Sequence, residues 1–314
     1  MRLQRRWAGR AVLLTLTLAT VATGTRYAGD FEELGTSARA IGMGSAVVAL
    51  ASDPSAIYYN PSIPARFNRP SVLFLHSEDF SGLVKHNFLG FSAPAGQHSF
   101  GGAVLQNGIP GIKLTTLPDT TLPPGENNRP YVAKTVNVNQ VVLYLNYSRA
   151  VSPRLALGGN AKVIYQDLGG CGSCFGMGID AGLTLTPMHQ LDLGLRVRNL
   201  STAPLFWDTG TREYILPRAA LGLGRSFDLG RDRLRLAMET EADFETRTFL
   251  PGFGLEYGFR NTLFGRLGVY HGNFTFGLGA RIKRFYIDYG YASGFAPEGR
   301  ELGSPQQLSG GVEF

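Results

Sequence analysis

Long segments of alternating apolar and polar residues fill the sequence from Pro70 onward, and they restrict what the chain can fold into. In the segment 190–199, leucine and valine alternate with aspartate, glycine and arginine, and 231–243, 273–282 and 285–293 show the same period. A two-residue period is typical of β-strands with one apolar face. The segments run for about 9 to 14 residues, which exceeds the roughly 5 to 6 of soluble strands and matches tilted membrane strands of about 9 to 11.

About 14 such segments can be counted, and the connections between them support the count. The predicted strands are 70–78, 84–94, 98–108, 137–150, 154–167, 174–186, 190–199, 214–227, 231–243, 249–259, 262–270, 273–282, 285–293 and 306–314. Connections from even to odd strands are short, whereas those from odd to even include 109–136, 200–213 and 294–305. Single-chain bacterial barrels have an even strand number, short periplasmic turns and longer outer loops. The sequence therefore predicts an all-β fold, a 14-stranded antiparallel transmembrane β-barrel.

The composition agrees with a barrel whose two faces differ. Glycine is frequent, with 41 residues, aromatic residues make up 11 % and charged residues only 17 %. The mean hydropathy of −0.02 is too polar for a bundle of membrane helices. The net charge is +6, but the basic residues are scattered, so no basic stripe is available for nucleic acid.

The N-terminus carries the features of a secretory signal. Four arginines precede a short apolar run from Ala11 to Ala22, which is too short to span a bilayer. We expect residues 1–24 to be a signal peptide and the chain to be exported to the outer membrane of a Gram-negative cell, in contact with its lipid. An N-terminal anchor helix is the alternative.

Residues 25–66 do not alternate and are rich in small side chains. Because the interior of a 14-stranded barrel is wider than side chains can fill, we expect this segment to enter the barrel 67–314 as a hatch. The alternative is a surface arm. The residues expected to form the hatch motif and its gate are Gly42, Met43, Gly44, Asp53, Asn60 and Pro61.

The stretch from Gly35 to Pro61, GTSARAIGMGSAVVALASDPSAIYYNP, resembles the N-terminal signature of the PorV/PorQ family of outer-membrane proteins. That family is similar to the FadL-like fatty-acid transporters, so the resemblance implies the 14-stranded barrel and the hatch. The Asn-Pro-Ala motif of that group reads Asn60-Pro61-Ser62 here. The resemblance does not fix the cargo, since members of the wider group serve either small hydrophobic molecules or type IX protein secretion.

Two further groups of residues could carry chemistry. Cys171 and Cys174 form a CxxC pair; without a thioredoxin-like context or a second pair, we expect a disulfide in an outer loop rather than a redox or zinc site. Charged residues predicted to face the lumen either form an ion-pair network that holds the hatch or line a path. These are Arg196, Arg198, Arg233, Arg235, Glu239, Glu241, Asp243, Arg281 and Asp288.

No catalytic arrangement stands out, because the five histidines show no metal spacing and no phosphate loop or nucleophile elbow occurs. We therefore expect no enzyme, no cofactor and no metal. The leading hypothesis is passage of small hydrophobic molecules across the outer membrane, from an outer pocket that includes the loop 109–112. The competing hypothesis is a closed barrel that docks a protein in type IX secretion or surface attachment.

Overall fold

The computed structural model describes residues 28–293 and 304–314, where sixteen strands form one antiparallel sheet. The predicted signal peptide and most of the predicted loop 294–305 lie outside these residues. The first eight strands are β1 (Ser71–Asp79), β2 (Val84–Ala95), β3 (His98–Thr116), β4 (Tyr131–Ser152), β5 (Leu155–Asp167), β6 (Ser173–Met188), β7 (Leu191–Arg198) and β8 (Ala203–Trp207). The others are β9 (Arg212–Ile215), β10 (Arg218–Leu229), β11 (Asp232–Asp243), β12 (Thr248–Phe259), β13 (Leu263–Tyr270), β14 (Asn273–Ile282), β15 (Phe285–Ala292) and β16 (Gln306–Glu313).

Fourteen of these strands close into a barrel. The first strand, β1, pairs with both β2 and β16, and the pairing of β5 with β6 completes the ring. The remaining two, β8 and β9, form a hairpin that pairs only with one end of β6. The predicted fold class, a 14-stranded antiparallel barrel, is confirmed.

The two faces of the barrel wall differ as the alternation predicts. On β12, Phe253 points outward and is 51 % exposed, whereas Glu256 points inward and is 1 % exposed. Exposed leucine, phenylalanine and isoleucine side chains recur on the outer face of the other strands, which makes that face suited to lipid. Within residues 28–293 and 304–314, no helix is both long enough and apolar enough to cross a membrane.

The inner face is not uniformly polar, which the sequence did not indicate. Buried apolar side chains line the inside of β1 to β5, and charged side chains line the inside from Lys162 of β5 round to β15. The apolar residues are Leu73, Leu75, Phe88, Leu105, Val142, Tyr144 and Ile164. They belong to one core cluster with Ile57, Tyr58, Tyr59 and Ile63 of the N-terminal region. One sector of the barrel is therefore held together by an ordinary apolar core.

Two predictions about the outer loops were wrong. Strands β3 and β4 continue well beyond 108 and begin well before 137, so 109–112 belongs to β3 and not to a loop. The pairing shifts register between Ile109 and Ile112, because Pro110 has no N–H and Gly111 has a φ of 75°. The predicted loop 200–213 contains β8 and the start of β9; these strands were too short to show a period.

The lipid-facing assignment predicts a dependence on depth. We expect Leu267→Arg, in the middle of β13 and 63 % exposed, to lower the free energy of unfolding in lipid vesicles by about 2–4 kcal/mol. The control Leu229→Arg, at a strand end and 52 % exposed, should cost about 0–1 kcal/mol. Denaturant titration of both variants measures the difference, and equal costs would contradict the assignment.

Candidate functional site

The candidate site is built around residues 28–67, which we call the inner segment. It contains two single-turn α-helices, α1 (Ala38–Gly42) and α2 (Ala56–Tyr59), and two 3-10 turns, Asp30–Glu32 and Ile63–Arg66. Ser37 precedes α1, and its hydroxyl accepts a hydrogen bond from Ala40 N at 3.4 Å. Most residues of the inner segment are buried, and they contact inward-facing residues on strands around the barrel. The division into signal peptide, hatch and barrel, and the gating role, stay predictions.

Inward-facing glycines on the wall let the inner segment approach the strand backbone. A Cβ at Gly254 would lie 2.9 Å from the carbonyl carbon of Met43, and one at Gly42 would lie 2.8 Å from Gly277 Cα. Such distances leave no space for a side chain. The wall glycines in contact with the segment are Gly90, Gly101, Gly158, Gly182, Gly194, Gly222, Gly224, Gly252, Gly254, Gly268, Gly277 and Gly290. Together they form a seat, which we call the glycine seat.

The predicted motif Gly42, Met43, Gly44 lies in this seat, against β12, β13 and β14. Gly44 has a φ of 58°, and a Cβ there would lie 2.6 Å from Val269 O. Its N–H donates to Thr275 Oγ1 at 3.1 Å. Both the backbone conformation and the space therefore require glycine at this position.

The glycine seat predicts a local overpacking effect. We expect Gly254→Ala to lower the free energy of unfolding by about 1–3 kcal/mol, since the new methyl group meets the backbone at Met43. The matched control is Gly265→Ala on the next strand, where a Cβ would meet nothing within 4 Å. Denaturant unfolding compares the two, and equal stability of both variants would contradict a tight seat.

Asn60, Pro61 and Ser62 attach the other end of the inner segment to β4 and β6. Asn60 Nδ2 donates to Val48 O at 2.7 Å and to Leu183 O at 3.2 Å. Ser62 Oγ donates to Asn60 Oδ1 at 2.8 Å and lies 2.7 Å from Thr184 Oγ1. The hydroxyl group of Ser62 thus contacts both Asn60 and Thr184, which the alanine of the Asn-Pro-Ala motif could not do. Asp53, in contrast, accepts from Ser55 N at 2.9 Å and orders a local turn.

A first group of buried charges, the Glu241 cluster, lies between the inner segment and strands β7, β10 and β11. Glu241 pairs with Arg196, and with Arg198 at 3.1 Å. Glu33 of the inner segment reaches Arg198 at 3.0 Å and Arg218 at 2.7 Å. Burial raises the pKa of Glu33 against the opposing effect of both arginines. Because a buried charge without a partner is costly, these pairs hold the segment to the wall.

A second group, the Glu256 cluster, surrounds one carboxylate with three guanidinium groups. Glu256 accepts from Arg39 at 2.8 Å, from Arg235 at 2.5 Å and from Arg266 at 2.7 Å. Arg235, Glu256 and Arg266 are direct cross-strand neighbours on β11, β12 and β13, and Arg266 also pairs with Asp288 at 2.6 Å. Only Arg39 comes from the inner segment.

A third group, the Lys162 cluster, lies on β5 and β6. Lys162 Nζ is buried and lies 2.7 Å from Glu32 of the inner segment and 3.5 Å from Asp180. The nearby Asn160 donates to Ile57 O at 2.8 Å. Each of the three clusters therefore contains at least one charged residue of the inner segment and fixes it to a different sector of the wall.

The structure places all nine predicted lumenal residues on inward positions but divides them. Arg196, Arg198, Glu241 and Asp243 join the Glu241 cluster, Arg235 and Asp288 join the Glu256 cluster, and Glu239 accepts from Val48 N at 2.8 Å. Arg233 and Arg281 lie nearer the short turns and pair with Asp228 and Glu313 at 2.8 Å. The sequence analysis missed Glu32, Glu33, Lys162, Arg218, Glu256 and Arg266. Glu256, between outward-facing Leu255 and Tyr257, could have been found from the alternation.

The expected disulfide is absent, since Cys171 and Cys174 are both free thiols. Cys171 is exposed in the turn before β6, whereas Cys174 lies within β6, opposite Trp207 of β8. Cys174 also pairs with Gln166 of β5 and belongs to the apolar core cluster, which includes Leu205 of the hairpin that the sequence did not reveal.

A pocket opens at the end of the barrel that carries the longer loops. Its volume is about 400 Å³, and apolar side chains from both the inner segment and the wall line it. They are Phe31, Leu34, Phe80, Val84, Ile109, Leu168 and Trp207. Three amides, Asn107, Gln140 and Gln166, and two carboxylates, Asp30 and Glu213, add polar groups to the lining. The inner segment forms part of this outer pocket, so a molecule bound there would touch residues 28–34 directly.

A histidine and an asparagine fasten the segment beside the outer pocket. His86 Nε2 lies 2.5 Å from Gly35 O, its Nδ1 lies 2.5 Å from Asn107 Oδ1, and Asn107 Nδ2 donates to Phe31 O at 2.5 Å. Since the amide already donates to Phe31 O, its oxygen faces the ring, and both ring nitrogens meet acceptors. The ring can donate to both only when it is doubly protonated. Burial opposes this charge on the ring, the contacts with Asn107 and Gly35 and the charge of Asp79 on β1 favour it, and His76 on β1 opposes it.

The contacts of His86 with Gly35 and Asn107, which we call the latch, predict a pH effect on the inner segment. Because the second donor exists only on the protonated ring, which burial disfavours, we expect amide-exchange protection of residues 30–37 to stay constant from pH 8 to pH 6.5 and to rise from pH 6.5 to pH 4.5, after correction for intrinsic rates. The variant His86→Asn should lose the dependence, and the control His98→Asn, at the opposite end of the barrel, should keep it. A wild-type protein with pH-independent protection would contradict the latch.

Comparison with solved structures shows the same barrel fold in hydrocarbon transporters. The structure is similar to the toluene transporter TodX of Pseudomonas putida, at 14 % identity and a TM-score of 0.61, over 89 % of this chain and 99 % of that one. It is also similar to a Pseudomonas aeruginosa FadL homologue, at 12 % identity and a TM-score of 0.55, over 89 % and 98 %. The channel CymD gives 11 % and 0.54 over 90 % and 98 %. No protein-family model and no curated protein matches the sequence. At these identities the likeness shows the fold.

Proposed function

We propose that this chain is an outer-membrane channel that passes small hydrophobic molecules. The observation that carries the proposal is the outer pocket of about 400 Å³, which is predominantly apolar and partly formed by Phe31 and Leu34 of the inner segment. Its volume and its apolar lining with polar groups at the margin are typical of a site for a small ligand. The fold shared with a toluene transporter and a monoaromatic hydrocarbon channel supports this class of cargo.

The proposed route continues inward from the outer pocket into a smaller cavity of about 50 Å³. Leu34 lines both spaces, and Arg198 and Glu241 also line the smaller one. A separate cavity of about 300 Å³ lies at the end with the short turns. Because Leu34 stands between the first two spaces, the first step of passage requires movement of residues 28–37 rather than of Gly42–Gly44.

We further propose membership of the PorV/PorQ group, on the signature from Gly35 to Pro61. A second function in that group, a closed barrel that docks a secretion or surface-attached protein, is favoured by one observation. Three clusters of buried ion pairs fix the inner segment to the wall, as a permanent stopper would require. Transport by the wild-type protein separates the two functions.

A tryptophan in the outer pocket allows a direct binding test. Trp7 lies in the predicted signal peptide, which leaves Trp207 as the tryptophan of the mature chain. We expect bromobenzene to quench the fluorescence of Trp207 saturably, because a bound heavy atom would lie in the same pocket. Phe31→Asp should weaken this binding at least about tenfold, since it places a charge on the apolar surface. The control Phe249→Asp alters an exposed aromatic residue outside the pocket.

Uptake is measured with the same variants. Gram-negative cells that express the wild-type chain or Phe249→Asp should take up labelled toluene faster than cells without it, and Phe31→Asp should abolish the gain. Cells are compared at equal amounts of folded barrel, which the intensity of the unheated band on SDS gels measures. Wild-type uptake equal to that of cells without the protein would overturn the channel proposal and favour the docking function.

A further inference from the structure

The third cavity, which we call the arginine basin, has a composition that transport of hydrophobic molecules does not explain. It encloses about 300 Å³ near the short turns, between the inner segment and strands β11 to β16. Five arginines line it: Arg39, Arg233, Arg235, Arg266 and Arg281. The carboxylates that line it are Asp53, Glu256, Asp288 and Glu313. Positive charge therefore exceeds negative charge in a confined space.

The carboxylates do not distribute evenly among the arginines. Glu256 pairs with Arg39, Arg235 and Arg266, and Asp288 pairs with Arg266 as well. Asp53 is directed to Ser55 by two hydrogen bonds and forms no ion pair among the described residues. Two carboxylates shared by three guanidinium groups leave one positive charge uncompensated beside the basin.

Three of the arginines retain donors for a ligand. Within the described residues, Arg233 pairs only through Nε with Asp228, Arg235 through one nitrogen with Glu256, and Arg281 through one nitrogen with Glu313. A guanidinium group carries five N–H donors. The three side chains are 40 %, 23 % and 36 % exposed, so a solute can reach them. Several available donors around one basin match the geometry by which arginine binds oxyanions.

From these observations we infer that the arginine basin is a binding site for a small oxyanion with the chemistry of a carboxylate or phosphate group. The anion enters from the end with the short turns, which faces the periplasm in barrels of this type. It bridges Arg233, Arg235 and Arg281, which lie on β11 and β14. It also compensates the charge that the Glu256 cluster leaves over. The site is separate from the outer pocket and does not depend on its function.

The test is isothermal titration of the purified full-length mature protein in a neutral detergent, with inorganic phosphate as the probe at constant ionic strength. We expect saturable binding by the wild type, and at least about tenfold weaker binding by the double variant Arg233→Gln/Arg281→Gln. The matched control is Arg231→Gln/Arg260→Gln, which removes two exposed arginines at the same end that do not line the basin. It should bind as the wild type does.

Two results would overturn the inference: no saturable binding by the wild type, or equal weakening in both double variants, which would indicate only general charge. Unheated SDS gels establish that each variant is folded. A second arm repeats the titration in nanodiscs with and without phosphatidylglycerol. Competition by that lipid in the wild type identifies a lipid headgroup as the source of the oxyanion, and unchanged phosphate binding identifies a soluble anion. Either outcome supports the site, and neither bears on toluene uptake.

Discussion

The architecture depends on how a wide barrel fills its own interior. Side chains from the wall of fourteen strands do not meet across the lumen, so something else must occupy it. The inner segment does so by backbone contact, and the glycine seat makes this possible because Gly42 and Gly44 lie against Gly277 and Gly268 with no side chain between them. These glycines occupy inward positions of the strands where the alternation would place a polar side chain. Their missing side chains create the space for the inner segment.

Ion pairs then hold the inner segment in the space that the wall glycines leave. Removing the charge of Glu32, Glu33 or Arg39 from water is costly. The attraction between buried ion-pair partners offsets that desolvation only when the two groups are close and well aligned. Each of these residues meets wall residues of opposite charge on a different group of strands. The segment is thus bound to three sectors of the wall, and the apolar sector from β1 to β5 supplies a fourth contact through Ile57 and Tyr58. A shift of the segment as one body would break all of them together.

The strand pattern could be predicted from the sequence because its period is strong and the faces differ sharply. The boundaries of β10 to β16 agree with the predicted spans within a few residues, whereas β3 and β4 were cut short where Pro110 and Gly111 interrupt the pattern. The partners within the lumen could not be predicted. The row Arg235, Glu256, Arg266 exists only because the register of three strands aligns these positions, and a change of one residue would turn Glu256 to the lipid.

These constraints say where the chain can move at lowest cost. Gly42–Gly44 lie in close contact with the wall backbone, and Asn60–Ser62 are held by hydrogen bonds. These two parts of the inner segment are therefore the ones that move least. The part from Ala28 to Gly35 instead borders the outer pocket, and it is held by His86, Asn107 and the ion pairs of Glu32 and Glu33. A hydrophobic molecule that packs against Phe31 acts directly on the hydrogen bond from Asn107 to the carbonyl of that residue. On the proposed function, the side of the segment that faces the loops is therefore the part that a ligand would displace, while Arg39 anchors the side toward the arginine basin.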